Sequence, residues 1–180
     1  MTLPPADRAV RALAGLRIAV GVLFLIFAEY KVFGTQFTLG GGFQFWINRF
    51  LTEGAYPFMV PVLRGFVLPY GTAIAFLVAY GELAIGLALA LGILVRPASV
   101  AGLVYMLLLL FASNYPGPGA AFWAFFGAAL SHLGLVLGFA ALAYAPADQV
   151  FSLGPSVRRA MQSIRRRAPG PRASSQPPAR

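Results

Sequence analysis

Polar residues along this chain are sparse and gathered in a few places, leaving four long apolar stretches between them. Crossing a bilayer core takes roughly 20 mainly apolar residues in a helix. The first stretch runs from about Leu13 to Phe33, with Arg17, Glu29 and Lys31 near its ends. The second, about Pro69 to Val95, carries Glu82 as its one charge. Arg96-Pro97 then predicts a sharp turn, because proline disfavours helix in the residue before it. The third stretch, about Ala98 to Tyr115, is charge-free, and Pro116-Gly117-Pro118-Gly119 breaks it from the fourth. That fourth stretch, about Ala120 to Tyr144, is interrupted only by Ser131 and His132. The expected fold is an all-α membrane protein, a bundle of four transmembrane helices occupying residues 13–147. Residues 1–12 precede it, and a basic, partly disordered tail occupies 148–180.

Between the first two spans, residues 36–68 are too many for a tight turn and too apolar for an ordinary loop. Phe43, Trp46, Ile47, Phe50 and Leu51 follow i, i+3, i+4, i+7, i+8 spacing, with Gln44, Asn48 and Arg49 on the other face. This predicts an amphipathic helix lying in the outer interface. Pro57, Pro61 and Pro69 punctuate the rest of the segment, which is expected to cap the bundle or to form a lid over a lipid-soluble ligand.

Composition agrees. Hydrophobic residues make up 59% of the chain and charged residues 11%, against about 25% charged in soluble domains. The net charge of +9 would suit nucleic acid, but its position argues against that partner. Arg158, Arg159, Arg165, Arg166, Arg167, Arg172 and Arg180 all fall in the C-terminal tail. There they read as a topology signal and an anchor for anionic lipid headgroups. The N-terminal region, Arg96 and the tail form the Lys/Arg-rich side; Lys31, Arg49 and Arg64 fall on the other. Both termini are therefore expected in the cytoplasm, with the protein in the cell membrane. The first apolar run continues past signal-peptide length, so it is expected to stay as a helix. Cysteine is absent, which removes thiol chemistry, disulfides and iron–sulfur ligation by this chain.

Ionisable groups at membrane depth are costly and face a partner or a cavity. Glu82 lies near the middle of its helix, and counting from the outer ends places His132 level with it. A Glu82–His132 contact is thus expected, and the pair is a candidate proton relay. Glu29 and Lys31, two apart, do not share a helix face; at least one is expected to point inward or to the outer cap. Arg17, about a turn inside the interface, is expected to snorkel. Gly134 and Gly138, with Gly127 and Ser131, form a small-residue face suited to close helix packing. Neither a metal-ligand set nor a phosphate loop nor a nucleophile triad is present, and His132, the only histidine, cannot form a bis-histidine haem within one chain.

The stretch Leu16-Arg17-Ile18-Ala19-Val20-Gly21-Val22-Leu23-Phe24, ending in Tyr30-Lys31-Val32-Phe33, resembles the first helix of the DoxX family. Gly81-Glu82-Leu83-Ala84-Ile85-Gly86-Leu87-Ala88-Leu89, with Leu91-Gly92-Ile93-Leu94-Val95-Arg96-Pro97, resembles its second. The aromatic outer segment resembles the DoxD-like branch. That resemblance implies a four-helix membrane subunit associated with thiosulfate:quinone oxidoreductase or with redox-stress complexes, and marks Glu82, Lys31 and Arg17 as family positions. No cofactor is expected within the chain itself beyond contact with quinone. A quinone site would open laterally near Glu82 beneath the cap that carries Trp46, lined by aromatics such as Phe76 and Tyr80. The alternatives are a non-enzymatic scaffold that docks a second subunit, and a small-solute permease acting as a homo-oligomer.

Overall fold

The computed structural model describes residues 5–145, 147, 150–157, 159 and 162. In the tail, Val157, Met161 and Ile164 share one face of a further expected surface helix with arginines on the other; Met161, Ile164 and most of the tail arginines lie outside the described residues. The helices α1 (Pro5–Phe33), α2 (Thr35–Thr38), α3 (Gly42–Glu53), α4 (Val60–Val62), α5 (Gly71–Leu91), α6 (Val95–Ser113) and α7 (Phe122–Tyr144) build the bundle and its cap. A π-helical turn, Leu63–Val67, continues α4 toward α5. Helices α1, α5, α6 and α7 are each long and apolar enough to cross a membrane. The expected four-helix membrane bundle is the observed fold. Four crossings place the start of α1 and the end of α7 on one side, here the terminus side; α2 to α4 lie on the opposite, cap side.

Helices α1 and α5 form the tightest pair. The backbone at Gly21 runs so close to α5 that a Cβ there would stand 2.6 Å from the Ala90 nitrogen and 3.0 Å from the Gly86 carbonyl oxygen. Only a residue without a side chain permits this approach, which sets the antiparallel register. Helix α6 packs on α5, and α7 packs chiefly on α6, touching α1 through Phe24 and Phe139 at 5.1 Å.

The turn between α5 and α6 falls earlier than Arg96-Pro97. Gly92 adopts the left-handed conformation (φ +72°). The Ile93 N–H then reaches the Ala88 carbonyl at 2.9 Å, a Schellman closure that glycine favours. Pro97 instead lies in the first turn of α6, where no intrahelical N–H bond is lost. Helix α1 likewise begins at Pro5, earlier than expected, carrying Arg8 and Arg11 within it.

The cap follows the amphipathic expectation for the most part, though Gln44, expected on the polar face, has its side-chain oxygen buried. Phe43 and Ile47 of α3 are buried, and Phe50 and Leu51 are partly so. Trp46, placed by spacing on the same stripe, is 39% exposed and lies under the Arg49 guanidinium at 5.4 Å. Its ring sits at the edge of the stripe, where Arg49 and Phe50 offer it a surface. Backbone bonds tie the cap to the bundle: Tyr56 N–H to the Phe111 carbonyl and Tyr115 N–H to the Gly54 carbonyl.

Two apolar clusters fill the interior. One, toward the terminus side, holds Val20, Phe24, Leu89, Met106, Phe139 and Leu142. The other, toward the cap, holds Phe37, Phe43, Ile47, Leu63, Ala75 and Ala79. The polar interior lies between them.

Candidate functional site

Lys31, near the end of α1, points inward. Its ammonium donates to both carboxylate oxygens of Glu82, at 2.6 and 2.5 Å. Glu82 is 5% exposed and accepts a further hydrogen bond from the Tyr105 hydroxyl of α6. The Lys31 ammonium also lies 5.3 Å from the centre of the Phe37 ring and 5.7 Å from that of Tyr30, so aromatic faces add to its stabilisation. Tyr105 is ten residues into α6, about 15 Å from the start of that helix at 1.5 Å per residue. The triad is therefore close to mid-membrane. An isolated charge would be prohibitive there; a bidentate pair with a third donor satisfies the carboxylate.

The geometry corrects the expected Glu82–His132 relay. His132 Nδ1 contacts Asn114 Oδ1 at 2.6 Å, and the Asn114 amide donates to the Ala128 carbonyl at 2.6 Å. Asn114 lies nine residues beyond Tyr105 along α6, about 13 Å toward the cap side. The depth count failed because the outer helix ends are not level: α7 begins well beyond the end of α6. His132 thus belongs to a separate His–Asn cluster near the cap, with Ser131 Oγ 3.3 Å from its ring.

Phe76 and Tyr80 do not line the Glu82 site either. They stand four apart on one face of α5, their rings stacked at 6.2 Å. At about 100° per residue, Glu82 is turned about 160° from Tyr80 and about 120° from Phe76. Tyr80 is 52% exposed on the outside of the bundle. Glu29 is also exposed, and Trp46 stays at the cap surface. The Gly127, Ser131, Gly134 and Gly138 face of α7 is not used in packing within the chain: a Cβ at any of its three glycines would meet nothing within 4 Å.

Arg17 departs from the snorkelling expectation. It is 0% exposed and donates to the Leu89 carbonyl at 2.8 Å and the Phe151 carbonyl at 2.6 Å. Beside it, Ser152 Oγ donates to the Gly92 carbonyl and the Leu153 N–H to the Leu91 carbonyl. The guanidinium thus caps the open carbonyls at the end of α5 and clamps the segment after α7 onto them. Arg96 makes a lesser tie, to the Ala143 carbonyl at 3.1 Å.

Sequence reasoning missed Tyr105 and Asn114. The available signal was modest: each is a rare hydrogen-bonding side chain in or at the end of an otherwise apolar helix.

The DoxX family model matches residues 12–115, more than half of the chain. The chain belongs to the DoxX family. The matched region takes in most of α1 and then α2 to α6, hence Arg17, Lys31, Glu82 and Tyr105, while α7 and the His132 side of the His–Asn cluster lie beyond it. As a DoxX protein with four membrane-crossing helices it is an integral, multi-pass membrane protein in contact with lipid. No curated protein and no solved structure matches it significantly.

Proposed function

We propose that this DoxX protein is a non-catalytic membrane subunit that docks and holds a partner protein in the bilayer. One observation carries the reading: the only carboxylate buried at mid-membrane among the described residues, Glu82, is closed by Lys31 and Tyr105. A group so engaged pins α1, α5 and α6 together. The permease alternative needs Glu82 to line a polar path, and its carboxylate is already committed to side chains on two neighbouring helices. That the partner is a redox or respiratory protein rests on what the family resemblance implies.

The second reading is a quinone-contacting, DoxD-like subunit in the cell membrane with both termini in the cytoplasm. It draws support from one feature: Tyr105, Glu82 and Lys31 form a chain of exchangeable protons beneath an aromatic cap. Phe76, Tyr80 and Glu82 do not combine into the lateral opening expected for quinone, so no chemical step is derived through it.

A charge-free double variant, Lys31→Met with Glu82→Leu, separates the two. Replacing a buried ion pair by apolar side chains is often neutral or stabilising. The docking reading expects the double variant to accumulate in membranes and support its complex at wild-type activity. A stable, correctly inserted double variant that abolishes quinone-linked electron transfer would overturn the docking reading in favour of the second.

A further inference from the structure

Glu29 is a carboxylate at membrane depth that the bundle leaves outside. It lies twelve residues beyond Arg17, about 18 Å from the level of the α5 end that Arg17 caps. The hydrocarbon core is about 30 Å thick. Among the described residues it has no hydrogen bond or ion pair, and its side chain is exposed. The residues around it form a seam. Gly15, Ala19, Val22, Ile26, Glu29 and Phe33 recur at alternating spacings of four and three, and all are exposed. That is the spacing by which one helix packs along another. An intramembrane carboxylate facing hydrocarbon is costly unless something pairs with it.

Resting on the docking reading above, the geometry points to the occupant: a transmembrane helix of a different protein, bearing a lysine or arginine near mid-bilayer opposite Glu29. A second copy of this chain does not fit that chemistry. Copies related by an axis normal to the membrane keep every residue at its own depth. Among the described cations, Lys31 is the one at Glu29's level, and it is closed on Glu82. Arg8, Arg11, Arg17, Arg96 and Arg159 lie toward the terminus side, and Arg49 and Arg64 toward the cap. Among the described residues a second copy thus brings no free cation to Glu29's level.

The test uses the full-length chain, fluorescently labelled, in phosphatidylcholine vesicles with labelled leucine–alanine transmembrane peptides as probes. One peptide carries a central lysine, one carries leucine there, and one carries the lysine near its end. Energy transfer should show the central-lysine peptide associating about tenfold more strongly than the other two, as about 1–2 kcal/mol per intramembrane polar contact implies. Glu29→Gln should reduce it to the level of the leucine peptide while leaving the unfolding midpoint unchanged. Equal association of all three peptides would mean that lipid alone covers Glu29, and would overturn the proposal. So would energy transfer between two labelled copies that Glu29→Gln abolishes. Either result leaves the double-variant test of the docking reading standing, so the two failures are distinguishable.

Discussion

Glu29 and Lys31 are two residues apart on one helix, at nearly one depth, and the bundle treats them in opposite ways. Lys31 turns inward and is neutralised by Glu82; Glu29 turns outward and meets no partner among the described residues. A separation of two residues is about 200° around a helix, so one of the pair had to leave the interior once the other entered. The contrast teaches that the charge of a membrane helix divides between holding its own fold and facing outward. Neither residue type nor depth tells which charge does which. Partners on the neighbouring helices do.

The strongest way to break this comparison is to remove Lys31 alone. Lys31→Met leaves Glu82 buried without its cation, which should cost about 3–5 kcal/mol, read as a lowered unfolding midpoint in mild detergent and reduced membrane abundance. A loss below about 1 kcal/mol would mean that Glu82 reaches water or another partner. Next in size, Tyr105→Phe removes a donor to a charged group and should cost about 1.5–3 kcal/mol by the same measurement. Gly21→Ala tests the helix pair on which both residues ride. Its methyl would press on the α5 backbone, with an expected loss of about 1–3 kcal/mol from overpacking. Disruption of the His132 contact by Asn114→Ala should cost about 1 kcal/mol without altering the Lys31–Glu82 pair. Smallest of all, Glu29→Gln in the isolated chain should fall within about 0.5 kcal/mol of wild type. A large destabilisation there would erase the distinction between the two charges.

Much of this architecture was legible in the chain. Four apolar stretches gave the four spans, and the period of Phe43, Ile47, Phe50 and Leu51 gave the amphipathic cap. Lys31, Glu82 and Arg17 stood out because ionisable groups are rare in such stretches. What could not be read was pairing. Counting residues from helix ends assumes that the ends are level, and α7 starts well beyond α6, which carried His132 away from Glu82. Proline at 97 read as a turn, but a first-turn proline is compatible with a helix, and the left-handed Gly92 had already ended α5. Tyr105 carried no charge to draw attention, and its role emerges only once α6 lies against α5.

The Arg17 clamp bears on how the protein is made. The guanidinium enters the membrane with the first helix, yet one of its carbonyl partners, that of Phe151, is synthesised 134 residues later. Until then the guanidinium holds the Leu89 carbonyl of α5 without the Phe151 carbonyl, and the terminus-side end of the bundle stays incomplete. Assembly at that end therefore waits for the final helix and the segment behind it. A chain cut short before Phe151 would carry all four spans and still display an unclosed seam, a mark by which membrane quality control could tell it from the finished protein.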